Sequence, residues 1–217
     1  MTASLDAGSV AALVERVLAL RAAVGPGRPV VVGVVGEPGS GKSTLTASVL
    51  SSLTGSGVAA VVVPMDGFHL ANVALAGLGR AERKGALDTF DGAGYAALLA
   101  RVRAGGPETV WAPTYDRSIE ESVAGAVAVS PGTEVVLTEG NYLLVDEGPW
   151  AAVRGLLDEA WAVRVDPAVR TARLVARHVE FGKAPDHAAA WVRTVDEENA
   201  VLVRSTLSRA DLDVHVA

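Results

Sequence analysis

The sequence has no cysteine. A disulfide framework is thereby excluded, which fits the reducing cytoplasm, where the protein is expected to reside. It has no excess of positive charge either: 19 Lys and Arg stand against 25 Asp and Glu, a net charge of −6. Without a basic stripe there is no electrostatic footprint for DNA or RNA, and no nucleic-acid partner is expected. No run of about 18 uncharged apolar residues occurs, so no membrane span is expected. The four histidines lack metal-ligand spacing, which leaves a zinc site without ligands. The opening segment has no basic leader, and Glu15 and Arg16 interrupt its apolar stretch, unlike a secretory signal. Val10, Leu13, Val14, Val17 and Leu18 follow instead the spacing of one helix face.

What is there suits one domain over residues 1–217, with half of the residues hydrophobic. Short apolar runs alternate with helical patterns. Val30–Val35, Val58–Met65, Glu134–Gly140 and Ala160–Asp166 read as strands, and "TVW" before Ala112 as a short one. Lys42–Leu53 reads as a helix, and Tyr95, Leu98, Leu99 and Val102 mark another. Continuous β-rich runs indicate strands buried on both faces, and the alternation indicates an α/β fold with a parallel sheet between helices. Such sheets hold ligands at the carboxyl ends of their strands. Pro167 to Pro185 is a basic helical segment broken at Gly182, and Trp191 to Val203 continues as a long closing helix.

Gly36 to Ser43, "GEPGSGKS", fits G-x-x-x-x-G-K-[ST] in full, with a strand before it and a helix after. This is the P-loop signature. Gly36, Glu37, Pro38, Gly39, Ser40, Gly41, Lys42, Ser43 and Thr44 are therefore the expected nucleotide-binding residues. The glycines let several N–H groups converge on phosphate oxygens at a helix N-terminus. Lys42 supplies a charge for the β- and γ-phosphates, and Ser43 a hydroxyl for Mg²⁺. Glu37 is an unusual acid in such a loop, and its carboxylate is expected to face solvent. The guanine-reading N-K-x-D is absent, so ATP is the expected nucleotide.

The receiving end should lie after the other strands. Asp66, in "PMDGFHL", is placed to accept a hydroxyl proton and orient the oxygen for in-line attack. His69 follows as a substrate contact. Glu139, ending "VVLTEG", is a candidate Mg²⁺-side acid, with Asn141 lining the site. In "RKGALDTFD", Lys84 and Asp88 are candidate substrate ligands, whereas Asp91 precedes a helix and should cap it. "APTYDR" offers Tyr115, Asp116 and Arg117. Arg173 and Arg177, four apart on a helix that also carries Arg170, suggest a lid over residues 167–185 that closes on the phosphates.

Together "GEPGSGKST", "MDGFH", "RKGALDTFD", "APTYD", "TEGNYLL" and "RLVARH" resemble the uridine kinase / pantothenate kinase / phosphoribulokinase superfamily of P-loop kinases, in its nucleoside/nucleotide kinase-like branch. The resemblance runs from about Val30 to Ser205. It implies the P-loop NTPase fold with a five-stranded parallel core and a small helical lid. It also implies Mg²⁺ and ATP as cofactors and a small-molecule hydroxyl as acceptor. It supports Asp66 as base, Lys42, Arg173 and Arg177 as catalytic, Ser43 and Glu139 at the metal, and Asp88 against a ribose. Where uridine kinases carry a base-reading histidine after "YD", "YDRSIEE" stands here. The acceptor expected first is a nucleoside. A pantothenate kinase-like or fructose-type sugar kinase is the alternative, and a nucleotide-gated regulatory ATPase the reading of another class. A homo-oligomer is compatible with the chain.

Overall fold

The computed structural model describes residues 3–6 and 10–216. Its centre is a sheet of six parallel strands: β1 (Ala3–Asp6), β2 (Val30–Val35), β3 (Ala60–Pro64), β6 (Val135–Gly140), β7 (Glu159–Arg164) and β8 (Leu212–His215). Their order across the sheet is β1-β8-β7-β2-β6-β3. The expected five-stranded parallel core is present, and β1 extends it at one edge against β8. Two strands, β4 (Val110–Asp116) and β5 (Glu121–Val129), form a separate antiparallel hairpin. The "TVW" strand is thus longer than expected, and its partner β5 was not anticipated.

Strand residues alternate between two cores, as the period of two requires. Val30, Val32, Val34, Leu137, Trp161 and Leu212 face helices α1 (Val10–Val24) and α2 (Lys42–Gly55), meeting Leu13, Val17, Leu45, Val49 and Leu53. Val31, Val35, Val63, Val136 and Ala160 pack on the other side with Tyr95, Leu98, Leu99 and Val102 of α4 (Gly92–Ala104). Asp91 caps α4 by accepting from the Gly94 N–H at 2.8 Å. Helices α3 (Asn72–Gly77) and α5 (Val153–Leu156) are short connections.

The basic segment forms α6 (Pro167–Glu180), capped by Asp166 and ended near Gly182, whose φ is +93°. The closing helix is not uniform. After α7 (Pro185–Trp191), residues Val192–Asp196 take a π turn before α8 (Glu197–Thr206). A π turn inserts one extra residue per turn and re-aims side chains, commonly at functional sites.

At the amino end of the sheet, Asp158 ties three pieces together. Its carboxylate accepts from Arg28 at 2.7 and 2.8 Å, from Arg103 at 2.9 Å and from the Val31 N–H at 2.9 Å. Burial pushes its pKa up, but the Arg28 hydrogen bonds, the Val31 N–H and the Arg103 charge outweigh burial and hold it below the ordinary carboxylate value. A depressed native pKa adds stability above the unfolded value of about 3.9, which is lost as pH falls through the native value. Asp158→Asn should therefore cost about 2–3 kcal/mol at pH 7. Urea unfolding should show the gap from wild type shrinking toward pH 3; a gap independent of pH would remove the carboxylate's charge from the fold's stability.

Candidate active site

Register across the parallel strands assembles the site. Val34 of β2 lies opposite Glu139 of β6, and Glu139 lies opposite Pro64 of β3. The chain leaves β2 into the Gly36–Ser43 loop, and leaves β3 into a 3₁₀ turn, Met65–Phe68, that carries Asp66. The loop lysine, Glu139 and Asp66 thus meet at one carboxyl edge.

The loop closes onto α2 through Gly41 at φ +91°, and no side chain caps the helix. Its first-turn N–H groups have no intrahelical partner and are available to phosphate oxygens. Gly39, at φ +79°, is required by a neighbour as well as by conformation. A Cβ there would stand 2.7 Å from Leu174 Cγ and 3.0 Å from the Arg170 carbonyl of α6.

Lys42 Nζ donates to the Asn141 side-chain oxygen at 2.8 Å and to the Glu37 carbonyl at 3.3 Å. Burial lowers its pKa, against the upward pull of Glu139 and Asp66. Ser43 Oγ donates to Glu139 Oε1 at 3.1 Å. Burial raises the Glu139 pKa, with Lys42 opposing. An adjacent hydroxyl and carboxylate are the hard oxygen donors Mg²⁺ prefers, with the remaining positions usually filled by water and phosphate. Accordingly, no cluster of three acidic, His or Cys side chains able to hold a metal occurs among the described residues.

Lys42, Ser43, Asp66, His69, Lys84, Tyr115, Glu139, Asn141 and Arg177 line one cleft of about 370 Å³. Arg117, on the β4–β5 hairpin, also lines it, with Nη2 3.6 Å from Asp66 Oδ2. The hairpin reaches Asp66 because residue 67 is glycine: a Cβ there would lie 2.4 Å from the Pro113 carbonyl oxygen. Burial, reinforced by repulsion from Arg117, lowers the Arg177 pKa. An incoming anion would relieve both effects. Asp196 enters the cleft from the π turn, accepting from His178 Nε2 at 2.7 Å.

Arg173 faces elsewhere. With Val10, Gly41, Thr44, Leu45, Ser48 and Val216 it lines a second cleft, about 380 Å³, outside the phosphate loop. Arg173 and Arg177, four residues apart, therefore line two different clefts, not the single phosphate site expected of both.

Two expectations need correction. Asp88 does not line the cleft. Its carboxylate pairs with Arg83 and, at 3.3 Å, with Arg80 Nε, so the carboxylate expected on a ribose is committed to arginines. Glu37 does not face solvent or either cleft. Its carboxylate pairs with Arg170 of α6 at 3.2 Å and with Arg204 of α8 at 2.7 and 3.1 Å. Glu197 pairs with the same two arginines. The hydrogen bonds that Arg204 donates to Glu37 and then to Glu197 raise its pKa. Asp116 closes the hairpin turn by accepting from Ser118. Sequence reasoning overlooked Asp196, because a π turn breaks the helical spacing that would have placed it, and with it His178 of α6, whose partner Asp196 is.

Glu37→Gln should lower stability by about 2 kcal/mol or more, since Arg170 is buried. Arg204→Ala removes a half-exposed partner and should cost under about 1 kcal/mol. Thermal unfolding of both variants, with and without Mg-ATP, checks the order; equal losses would contradict it.

The comparisons with known proteins agree with this geometry. A model described as "Phosphoribulokinase / Uridine kinase family" matches residues 31–217. The ATP-dependent kinase-like protein notR' of Aspergillus versicolor is 44% identical over 142 residues, covering 62% of this chain and 82% of the relative. A Schizosaccharomyces pombe protein named as a candidate uridine kinase is 32% identical over 172 residues, covering 76% of this chain and 73% of its own. A crystal structure from Silicibacter sp. TM1040, named as a candidate fructose transport system kinase, is 38% identical with a TM-score of 0.86, covering 94% of this chain and 98% of the other.

Proposed function

The chain belongs to the phosphoribulokinase / uridine kinase family, and we propose that it transfers the γ-phosphoryl group of ATP to a hydroxyl of a small metabolite, with Asp66 as the residue that takes the proton. The observation that carries this reading is the meeting of Lys42, the Ser43–Glu139 pair and Asp66 at one end of a single cleft. A switch that only senses nucleotide has no use for a carboxylate facing the phosphate loop across a cleft with its own polar wall.

The loop N–H groups would receive the phosphates, and the cleft lined by Val10, Thr44, Arg173 and Val216 would receive the nucleoside end. Lys42 exchanges its Asn141 contact for phosphate oxygens. Ser43 and Glu139 would hold Mg²⁺, which would supply neutralisation of phosphate charge. The acceptor oxygen attacks the γ-phosphorus as its proton passes to Asp66. The bond to the bridging oxygen breaks, and its electron pair leaves with ADP. Arg117, whose Nη2 lies 3.6 Å from Asp66 Oδ2, steadies that carboxylate before attack. Arg177 and Lys42 stabilise the charge that spreads over the transferring oxygens. The candidate uridine kinase among the relatives supports a nucleoside acceptor, and the candidate fructose kinase supports a sugar. Both, like pantothenate, carry the required hydroxyl.

Asp66→Asn should keep Mg-ATP binding while lowering kcat by about 10²–10⁴-fold. Calorimetric titration of Mg-ATP beside steady-state turnover separates the roles; lost ATP affinity with kcat retained would make Asp66 a metal or structural residue. Glu139→Gln should raise the Mg²⁺ concentration needed for half-maximal rate, read from a Mg²⁺ titration at fixed ATP. An unchanged titration would take Glu139 out of the metal's surroundings.

A further inference from the structure

The acceptor wall of the cleft carries positive charge that phosphoryl transfer does not use. Lys84 is held in place by neutral groups. Its Nζ donates to the Asn72 side-chain oxygen at 2.6 Å and to the Glu120 carbonyl, and it sits 5.2 Å from the centre of the Tyr115 ring. Two of its three N–H donors are engaged and the third is free. No carboxylate forms an ion pair with it among the described residues.

Several features build this position. Glu120 has φ +51°, the single positive value at a non-glycine among the described residues. That conformation is costly for an L side chain, and it turns the carbonyl toward Lys84 and the Asn72 amide. From the other side, Tyr142 donates to the Gly85 carbonyl at 2.7 Å and fixes the backbone next to Lys84. Glu121, the nearby acid that could have neutralised the lysine, is spent on the Asn72 N–H at 3.0 and 3.2 Å.

Assigning each charge in the cleft to its task leaves a remainder. Lys42 and Arg177 go to the phosphates, Glu139 to the metal, Asp196 to His178 and Asp66 to the reacting hydroxyl. Lys183 sits over the Trp191 ring, and Lys84 remains beside Arg117 and Glu120, with no carboxylate paired to it among the described residues, while Arg117 lies 3.6 Å from Asp66. Lys84 and Arg117 lie close enough to His69 to act on its ring electrostatically. His69 packs between Phe90 and Tyr115, with ring centres 4.0 and 4.6 Å away. Its Nδ1 is 2.8 Å from the Asp66 carbonyl, which can only accept, so Nδ1 carries the proton and Nε2 is left as an acceptor. Burial holds the ring pKa below its ordinary value, which keeps Nε2 unprotonated.

We propose, resting on the kinase reading above, that the acceptor is an anion: a small hydroxylated molecule whose carboxylate or phosphate is received by Lys84 and Arg117, with one hydroxyl on Asp66 and a second on His69 Nε2. A neutral acceptor would leave the half-buried Lys84 without a charged partner, which disfavours it.

The test uses matched pairs that differ in charge: D-glycerate against glycerol, gluconate against glucose, and fructose 6-phosphate against fructose, with uridine as a neutral nucleoside. ADP release from Mg-ATP is followed for the wild type, Lys84→Gln and Lys84→Arg. At least one charged member should exceed its neutral partner about tenfold or more in kcat/KM. Whether it is a hydroxy acid or the sugar phosphate identifies the anion. Lys84→Gln should lower kcat/KM for the charged member by about tenfold, mainly through KM, and Lys84→Arg should restore part of it. If Lys84→Gln is recovered unfolded, Arg117→Gln, altering a half-exposed side chain, must show the same selective loss. Turnover of uridine or a neutral sugar ahead of every charged compound overturns this proposal while leaving the kinase reading intact. No turnover of any charged compound also overturns it. If, in addition, no compound is turned over and ATP hydrolysis does not depend on Lys42, the kinase reading falls as well.

Discussion

Three parallel strands held in one register decide where everything else at the cleft can be. Because Val34, Glu139 and Pro64 stand side by side, the phosphate loop, the metal-side acid and the 3₁₀ turn with Asp66 leave the sheet at the same height. A slip of one residue in β6 would send Glu139 to the opposite face and bring Thr138 or Gly140 to the Ser43 hydroxyl. The continuous valines of β2, buried on both sides, prevent that slip, since each residue already has its own core to fill. The hairpin is subordinate to this frame. It docks on Gly67 and brings Tyr115, Arg117 and Glu120 over a turn whose place the sheet has fixed.

Charge in the cleft is arranged by commitment rather than by amount. Glu37 sits in a loop built for anions, yet its carboxylate is held off by Arg170 and Arg204 while its carbonyl helps to hold Lys42. Asp196 is occupied by His178, and Glu139 by Ser43. Lys42, Arg177 and Lys84 are left in the cleft with no paired carboxylate among the described residues, while Arg117 stands 3.6 Å from Asp66. Low exposure makes such charges matter more than the same groups would on the surface.

The parts legible in the sequence are those whose cause is local. The phosphate loop is a run of neighbouring residues, and Asp66 and Glu139 lie at or just beyond the ends of apolar runs that announce buried strands. Lys84 and Arg117 could be named from their strings, but not the neutral grip on one or the approach of the other to Asp66. Asp88 misled because Arg80 and Arg83 close on it across a loop, which no periodicity encodes. Glu37 misled because its partners come from α6 and α8, far along the chain. The strand β5 escaped notice because "ESVAGAVAV" is mostly small and half-exposed, without the alternation that a one-sided sheet imprints. The π turn at Val192–Asp196 is a tertiary outcome with no local signature.

The close fit of Gly39 against Leu174 bears on how α6 can move. The first two turns of this helix are capped by Asp166, carry the buried Arg170 between two acids, and touch the phosphate loop with no space for a methyl group. Swinging the helix as a rod would pull the loop apart. The root of α6 and the phosphate loop are thus packed as one unit, with Gly182 and the π turn lying beyond that contact. A substitution at Gly39 would therefore disturb the helix as well as the loop, because the two share one contact.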